Sequence, residues 1–110
     1  MALAHAQPLD VIGLHPLGDR LRDTPTTSLL KTPALQLMRL VLRAGQATPQ
    51  HQVPGAITLL CLEGEATVTT PARVCHLHAS ELVMLPGSEP HAVLAVTDSS
   101  LLVTVTLHTP

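Results

Sequence analysis

Two histidines lie where a turn meets a short apolar run. In residues 45–64 a polar segment marked by Pro49 and Pro54 passes His51, enters Ala-Ile-Thr-Leu-Leu-Cys-Leu, and closes on Glu63-Gly64-Glu65. In residues 80–91 the run Leu82-Val83-Met84-Leu85 ends in Pro86-Gly87 and delivers His91. An imidazole held by a loop at a strand mouth can bind a metal, move a proton or hydrogen-bond a ligand. His76 and His78 form a second cluster. At i and i+2 on a strand they share a face, a geometry that can hold Zn or Ni. Leu77 is expected to take the inward side, leaving both histidines outward, at solvent or an interface. Should they face His51 and His91 instead, a four-histidine site would result.

Other chemistry finds less support. Cys61 and Cys75 are too few for a disulfide scaffold and read as buried free thiols. Cys61 shares the parity of Ile57 and Leu59, so it is expected to line the interior, protonated and inert in apolar surroundings. Glu63 and Glu65 flank a turn glycine and read as solvated charges, not as a paired-carboxylate site. Gly45, Gly55 and Gly64 lie apart and build no phosphate loop.

The elements that must position these residues read as short strands. Runs at 57–62, 66–70, 73–78, 82–85, 91–96 and 101–107 are separated by Gly, Pro, Ser and Asp turns, the rhythm of an all-β sandwich or barrel. Residues 11–14 could form a short strand, and 20–28 read as loop. Residues 32–45 are ambiguous. Thr32 suits an N-cap, Pro33 a first helical position and Gly45 a C′ residue, while Leu35, Met38 and Leu42 repeat at helical spacing. The alternative is a strand with Gln36, Met38, Leu40 and Leu42 on one face, and Leu37, Arg39, Val41 and Arg43 on the other.

The two histidine segments resemble the paired motifs of the cupin family, in particular its small single-domain, type-2 members. The first family motif is glycine, five residues, His-x-His, three or four residues, Glu, six residues, glycine. Gly45, His51 and Gly64 fall on that frame, with Val53 in place of the second His and Ile57 in place of the Glu. The second motif is glycine, five residues, Pro-x-Gly, two residues, His, three residues, Asn. Pro86 and His91 match it, while Ser80, Ser88 and Ala95 replace the glycines and the Asn. The resemblance spans residues 29–107. It implies a jelly-roll barrel (double-stranded β-helix) of residues 29–110 preceded by an N-terminal arm, 1–28, and it requires a strand in 33–44, which is the reading adopted.

The resemblance also implies a pocket inside the barrel mouth, lined here by His51, Val53, Ile57, His91 and Ala95. In the family three His and one Glu usually hold Fe, Mn, Ni or Zn. Only His51 and His91 remain to ligate such an ion, and Val53 and Ile57 put aliphatic surface where charge compensation is needed. No resident cofactor is expected, the alternative being a divalent Fe, Mn, Ni or Zn ion on His51 and His91. Three readings follow: a non-catalytic small-molecule-binding or sensory cupin; a metal-dependent dioxygenase or isomerase using His51, His91 and ligands from outside the motifs; and a dimerisation module with a filled interior. The first is favoured. Family members commonly pair, and Leu60 and Leu62 are expected to point outward, so a homodimer is expected.

Composition bounds the partners. The 110 residues are 45% hydrophobic and 13% charged, with no Phe, Trp or Tyr, so one aliphatic core is expected. A net charge of -2 and the lack of aromatics offer neither a phosphate-binding surface nor a base-stacking platform, so nucleic acid is not an expected partner. No apolar run approaches the roughly 20 residues that cross a bilayer, and the N-terminus does not read as a signal peptide. A soluble, cytoplasmic protein is the expectation.

Overall fold

A computed structural model describes residues 5–107; residues 1–4 of the expected arm and 108–110 of the expected barrel domain lie outside the described residues. Eight strands follow one another: β1 Thr27–Lys31, β2 Leu35–Leu42, β3 Ile57–Glu63, β4 Glu65–Thr69, β5 Val74–His78, β6 Leu82–Leu85, β7 Ala92–Ala95 and β8 Ser99–Thr106. They form two antiparallel sheets, ordered β1-β2-β8-β3-β6 and β5-β4-β7. Nesting β8 between β2 and β3, and β4 between β5 and β7, is jelly-roll connectivity, in which successive strands cross between two facing sheets. The all-β reading holds.

The ambiguous segment is strand. β2 pairs with β8 along its whole length, from Leu35↔Thr106 to Leu42↔Ser99. The features that mimic a helix serve turns instead. Thr32 Oγ1 accepts the backbone N–H groups of Ala34 and Leu35, both at 3.1 Å, and so closes the β1–β2 hairpin. Gly45 adopts φ +86°, which turns the chain out of β2. Period two then divides the strand. Met38, Leu40 and Leu42 face inward, and Leu37, Arg39 and Val41 face outward.

Two local expectations are corrected. Residues 11–14 form no strand, and the stretch read as loop, 20–28, overlaps a 3-10 helical segment, Gly18–Asp23, at its start and β1 at its end. Leu21 is the reason the segment packs: it is only 3% exposed. The arm also joins the sheet edge, where Ala6 N–H donates to Leu29 O at 2.9 Å.

The core lies between the sheets. Leu42, Ile57, Leu59, Cys61 and Leu101 of the larger sheet meet Ala66, Val68, Leu77, Val93 and Ala95 of the smaller one. With no aromatic ring available, these aliphatic side chains close the barrel at one end and leave a cavity at the other.

Candidate ligand-binding site

The segment after β2 builds the site. Residues 45–51 run antiparallel to β7 as an irregular edge. Gly45 N–H donates to Ala95 O at 2.8 Å, Ala95 N–H to Gln46 O at 2.9 Å, and Thr48 N–H to Val93 O at 2.9 Å. Pro49 can donate no ladder bond, which keeps the edge irregular. Thr48 compensates: its Oγ1 accepts Val93 N–H at 3.0 Å. At the far end His51 and His91 exchange both backbone bonds, at 3.0 and 2.9 Å. Directly opposed residues on an antiparallel pair share a face. The two imidazoles, 40 positions apart in the chain, therefore meet with ring centroids 4.5 Å apart and planes inclined at 54°.

Each ring is oriented in the same way. His51 Nδ1 lies 3.3 Å from Pro49 O, and His91 Nδ1 lies 3.0 Å from Glu89 O. A carbonyl only accepts, so each Nδ1 carries a proton, and in the neutral form of either ring Nε2 is the acceptor. His91 is 4% exposed, yet its Nε2 is not sealed off; among the described residues the one fully enclosed side-chain polar atom without a partner is Arg39 Nε.

The rings wall a cavity of about 110 Å³. Val53, Ile57 and Leu59 line it from the first motif segment and β3, with Met38 and Leu40 from β2, Val93 from β7, and Val103 and Val105 from β8. Thr48 adds the one hydroxyl. Of the five pocket residues named from the sequence, the cavity gathers His51, Val53, Ile57 and His91. Ala95 is not among its lining residues. It lies two pleats further along β7, 1% exposed in the packed core. Met38 and Thr48 were not foreseen. Met38 was assigned a face without a destination, and Thr48 read as part of a polar turn.

His76 and His78 point away from this cavity. Leu77 takes the inward side at 4% exposure, while both histidines are exposed. His78 lies between two carboxylates, 3.5 Å from Glu65 and 3.2 Å from Glu81. The Glu81 carboxyl is held below its usual range by the His78 backbone N–H and ring. Cys61 is wholly buried, and burial pushes its thiol up, as an inert cysteine requires.

Glu63 is not a solvated charge, which corrects the sequence reading. Its Oε1 accepts Leu17 N–H at 2.8 Å and the Ser100 hydroxyl at 2.7 Å, its Oε2 accepts Gly18 N–H at 3.1 Å, and Arg39 stands 3.6 Å away. The Arg39 guanidinium also donates to His15 O at 2.6 Å and Ser100 Oγ at 3.2 Å. Burial alone would raise the Glu63 carboxyl, but the Leu17, Ser100 and Gly18 hydrogen bonds and the Arg39 charge outweigh it and hold the group below its usual range. The physical reason for the misreading is a bulge. Cys61 faces Leu101, yet Glu63 faces Ser100, so Leu62 is an extra residue in the ladder. The bulge turns Glu63 to the outer face, where it ties the arm to the barrel far from the cavity.

The donor set does not fit a resident metal ion. Two neutral imidazoles offer no charge compensation to a divalent ion, and the remaining walls are aliphatic apart from one hydroxyl. Among the described residues no group of three or more His, Cys, Asp or Glu side chains is placed to hold one.

No protein-family model and no curated protein matches the chain. Solved structures do. A conserved protein of unknown function from Streptococcus pyogenes is similar over 100% of both chains, at 20% identity and a TM-score of 0.78. An RmlC-like cupin from Desulfovibrio desulfuricans covers 97% of this chain and 98% of its own, at 24% identity and a TM-score of 0.69. The salicylate 1,2-dioxygenase of Pseudoaminobacter salicylatoxidans matches 70% of this chain with 22% of its own, at 22% identity and a TM-score of 0.63. These likenesses show the fold: the described chain is a single, small cupin barrel.

Proposed function

We propose that this cupin is a small-molecule-binding or sensory protein whose apolar barrel cavity keeps His51 and His91 as its polar handles. The observation that carries the reading is the cavity itself. It is lined by eleven residues, eight of them aliphatic or Met, and its convergent polar groups are two imidazoles and a hydroxyl. Apolar walls with a few placed polar groups are the usual make-up of a ligand site. A dimerisation module with a filled interior would not leave this space. A dioxygenase or isomerase would need further ligands from outside the motifs, and among the described residues no group of three or more His, Cys, Asp or Glu gathers to supply them.

Xenon tests the cavity without presuming a ligand. It enters apolar cavities of this kind and shifts the methyl signals of the residues around it. Shifts confined to the methyls that line the cavity, Val53, Ile57, Leu59 and Val103 among them, are expected, and their absence at saturating xenon would contradict the reading.

A second copy of the chain is the macromolecular partner we propose. Leu82, Leu60 and Leu102 are aligned across β6, β3 and β8 on the outer face of the larger sheet. Leu82 and the neighbouring Met84 are 61% and 58% exposed. Such an apolar row at a sheet edge suits isologous pairing. The two free cysteines suit a reducing, cytoplasmic setting, and no helix among the described residues is long and apolar enough to cross a membrane.

A further inference from the structure

The cavity's polar groups have a definite hydrogen-bonding sense. Both Nδ1 protons face backbone carbonyls, so as neutral imidazoles His51 and His91 each offer Nε2 as an acceptor. Thr48 Oγ1 already accepts the Val93 N–H, which leaves its hydroxyl proton to donate. The cavity therefore shows two acceptors and one donor. No Lys or Arg is among its lining residues. A carboxylate or phosphate would lose its hydration there without a fixed cation to replace it. Size restricts the ligand further. A cavity of about 110 Å³ is smaller than the ~150 Å³ apolar cavity that accepts benzene, which favours a ligand smaller than an aromatic ring.

We infer that the cavity takes a small, neutral aliphatic alcohol, its hydroxyl donating to a histidine Nε2 and accepting from Thr48 while its branched carbon end packs on Val53, Ile57, Val103 and Val105. This rests on the ligand-binding reading above and names the chemical class. A ligand without a donor would leave the acceptor of the 4% exposed His91 unpaired beside it, and hydrogen-bonding sites reject such analogues. The ether isomer of a bound alcohol is therefore the sharpest competitor, since it has the same atoms and no donor.

The experiment is a methyl-detected NMR titration of the full chain with isobutanol, isopropyl methyl ether and isobutyrate, beside xenon. Isobutanol is expected to shift the cavity methyls and to bind at least fivefold more tightly than the ether, with isobutyrate weaker than both. In His51→Ala, chosen because His51 is exposed and His91 is buried, the preference for alcohol over ether is expected to shrink at least twofold while xenon binding persists. Equal or tighter ether binding, or isobutyrate as the tightest of the three, would overturn the inference. Xenon binding without any alcohol preference would overturn it and leave the ligand-binding reading standing. Failure of xenon and every organic probe to perturb the cavity would remove both.

Discussion

At the scale of single residues, the two motif serines report how the chain keeps a backbone while changing its side chains. Ser80 and Ser88 occupy positions where the cupin frame has glycine, and both hold left-handed conformations, φ 73° and 64°. Their backbones remain bonded at those turns: Ser80 N–H donates to Cys61 O and Ser88 N–H to Val53 O, each at 2.7 Å. A left-handed conformation costs a non-glycine residue about 1–2 kcal/mol, of which glycine's larger unfolded-state entropy returns about 0.5–1. Ser80→Gly and Ser88→Gly should each stabilise the fold by roughly 0.5–1 kcal/mol in urea unfolding. Glu63 makes the opposite case. Removing one partner of a buried ion pair costs roughly 3–5 kcal/mol, so Glu63→Ala, which also strands the Arg39 guanidinium, should lower stability by about that much. Because its folded-state carboxyl sits below the ordinary range, the stabilisation is fully present above the unfolded value of about 4.3. It is lost as pH falls through the lower folded value. Wild type should therefore lose more stability than Glu63→Gln between pH 5 and pH 2, as measured by unfolding across that range.

Elements show which signals were legible in the chain and which were not. His51 and His91 could be paired from their frames, because a turn-to-strand delivery with fixed spacing is local information. Residues 32–45 could not be settled locally, since Thr32 and Gly45 do the same hydrogen-bonding and φ work at a hairpin as at a helix end. Pairing with β8, some 60 residues away, decides for strand. Glu63 was hidden by the bulge, which breaks the period-two rule at the one position where it mattered. Arg39, the one charged residue of β2, was the available clue that a carboxylate must approach it. The corner between β3 and β4 is the tightest of these elements. Gly64 has φ +83°, and an added Cβ would lie 2.2 Å from Asp98 O. Gly64→Ala should thus cost more than the roughly 1 kcal/mol of a simple left-handed substitution, and a midpoint shift below that in denaturant would contradict the close approach.

Across the whole molecule, the barrel separates a sealed end from an open one. Ala95, expected in the pocket, belongs to the sealed end, and the aliphatic core there needs no aromatic ring to close. The outer face is divided as well: the arm, held by Arg39 and Glu63, covers one side, and the Leu82–Leu60–Leu102 row runs from there to the exposed Leu82 and Met84 at the β6 edge. Sedimentation at tens of micromolar should give a dimer, and Leu82→Lys should shift it toward monomer; a wild-type monomer at that concentration would contradict the pairing. The central claim, proposed above, is that Val53 and Ile57 stand where the cupin frame has metal ligands and make the barrel mouth an apolar ligand cavity. Its most direct test is the transition-metal stoichiometry of protein purified without a histidine tag and incubated with Fe, Mn, Ni and Zn, beside Val53→His/Ile57→Glu. The account predicts well under one equivalent in wild type and near one in the double variant. Near-stoichiometric metal in wild type, lost in His91→Ala, would contradict it.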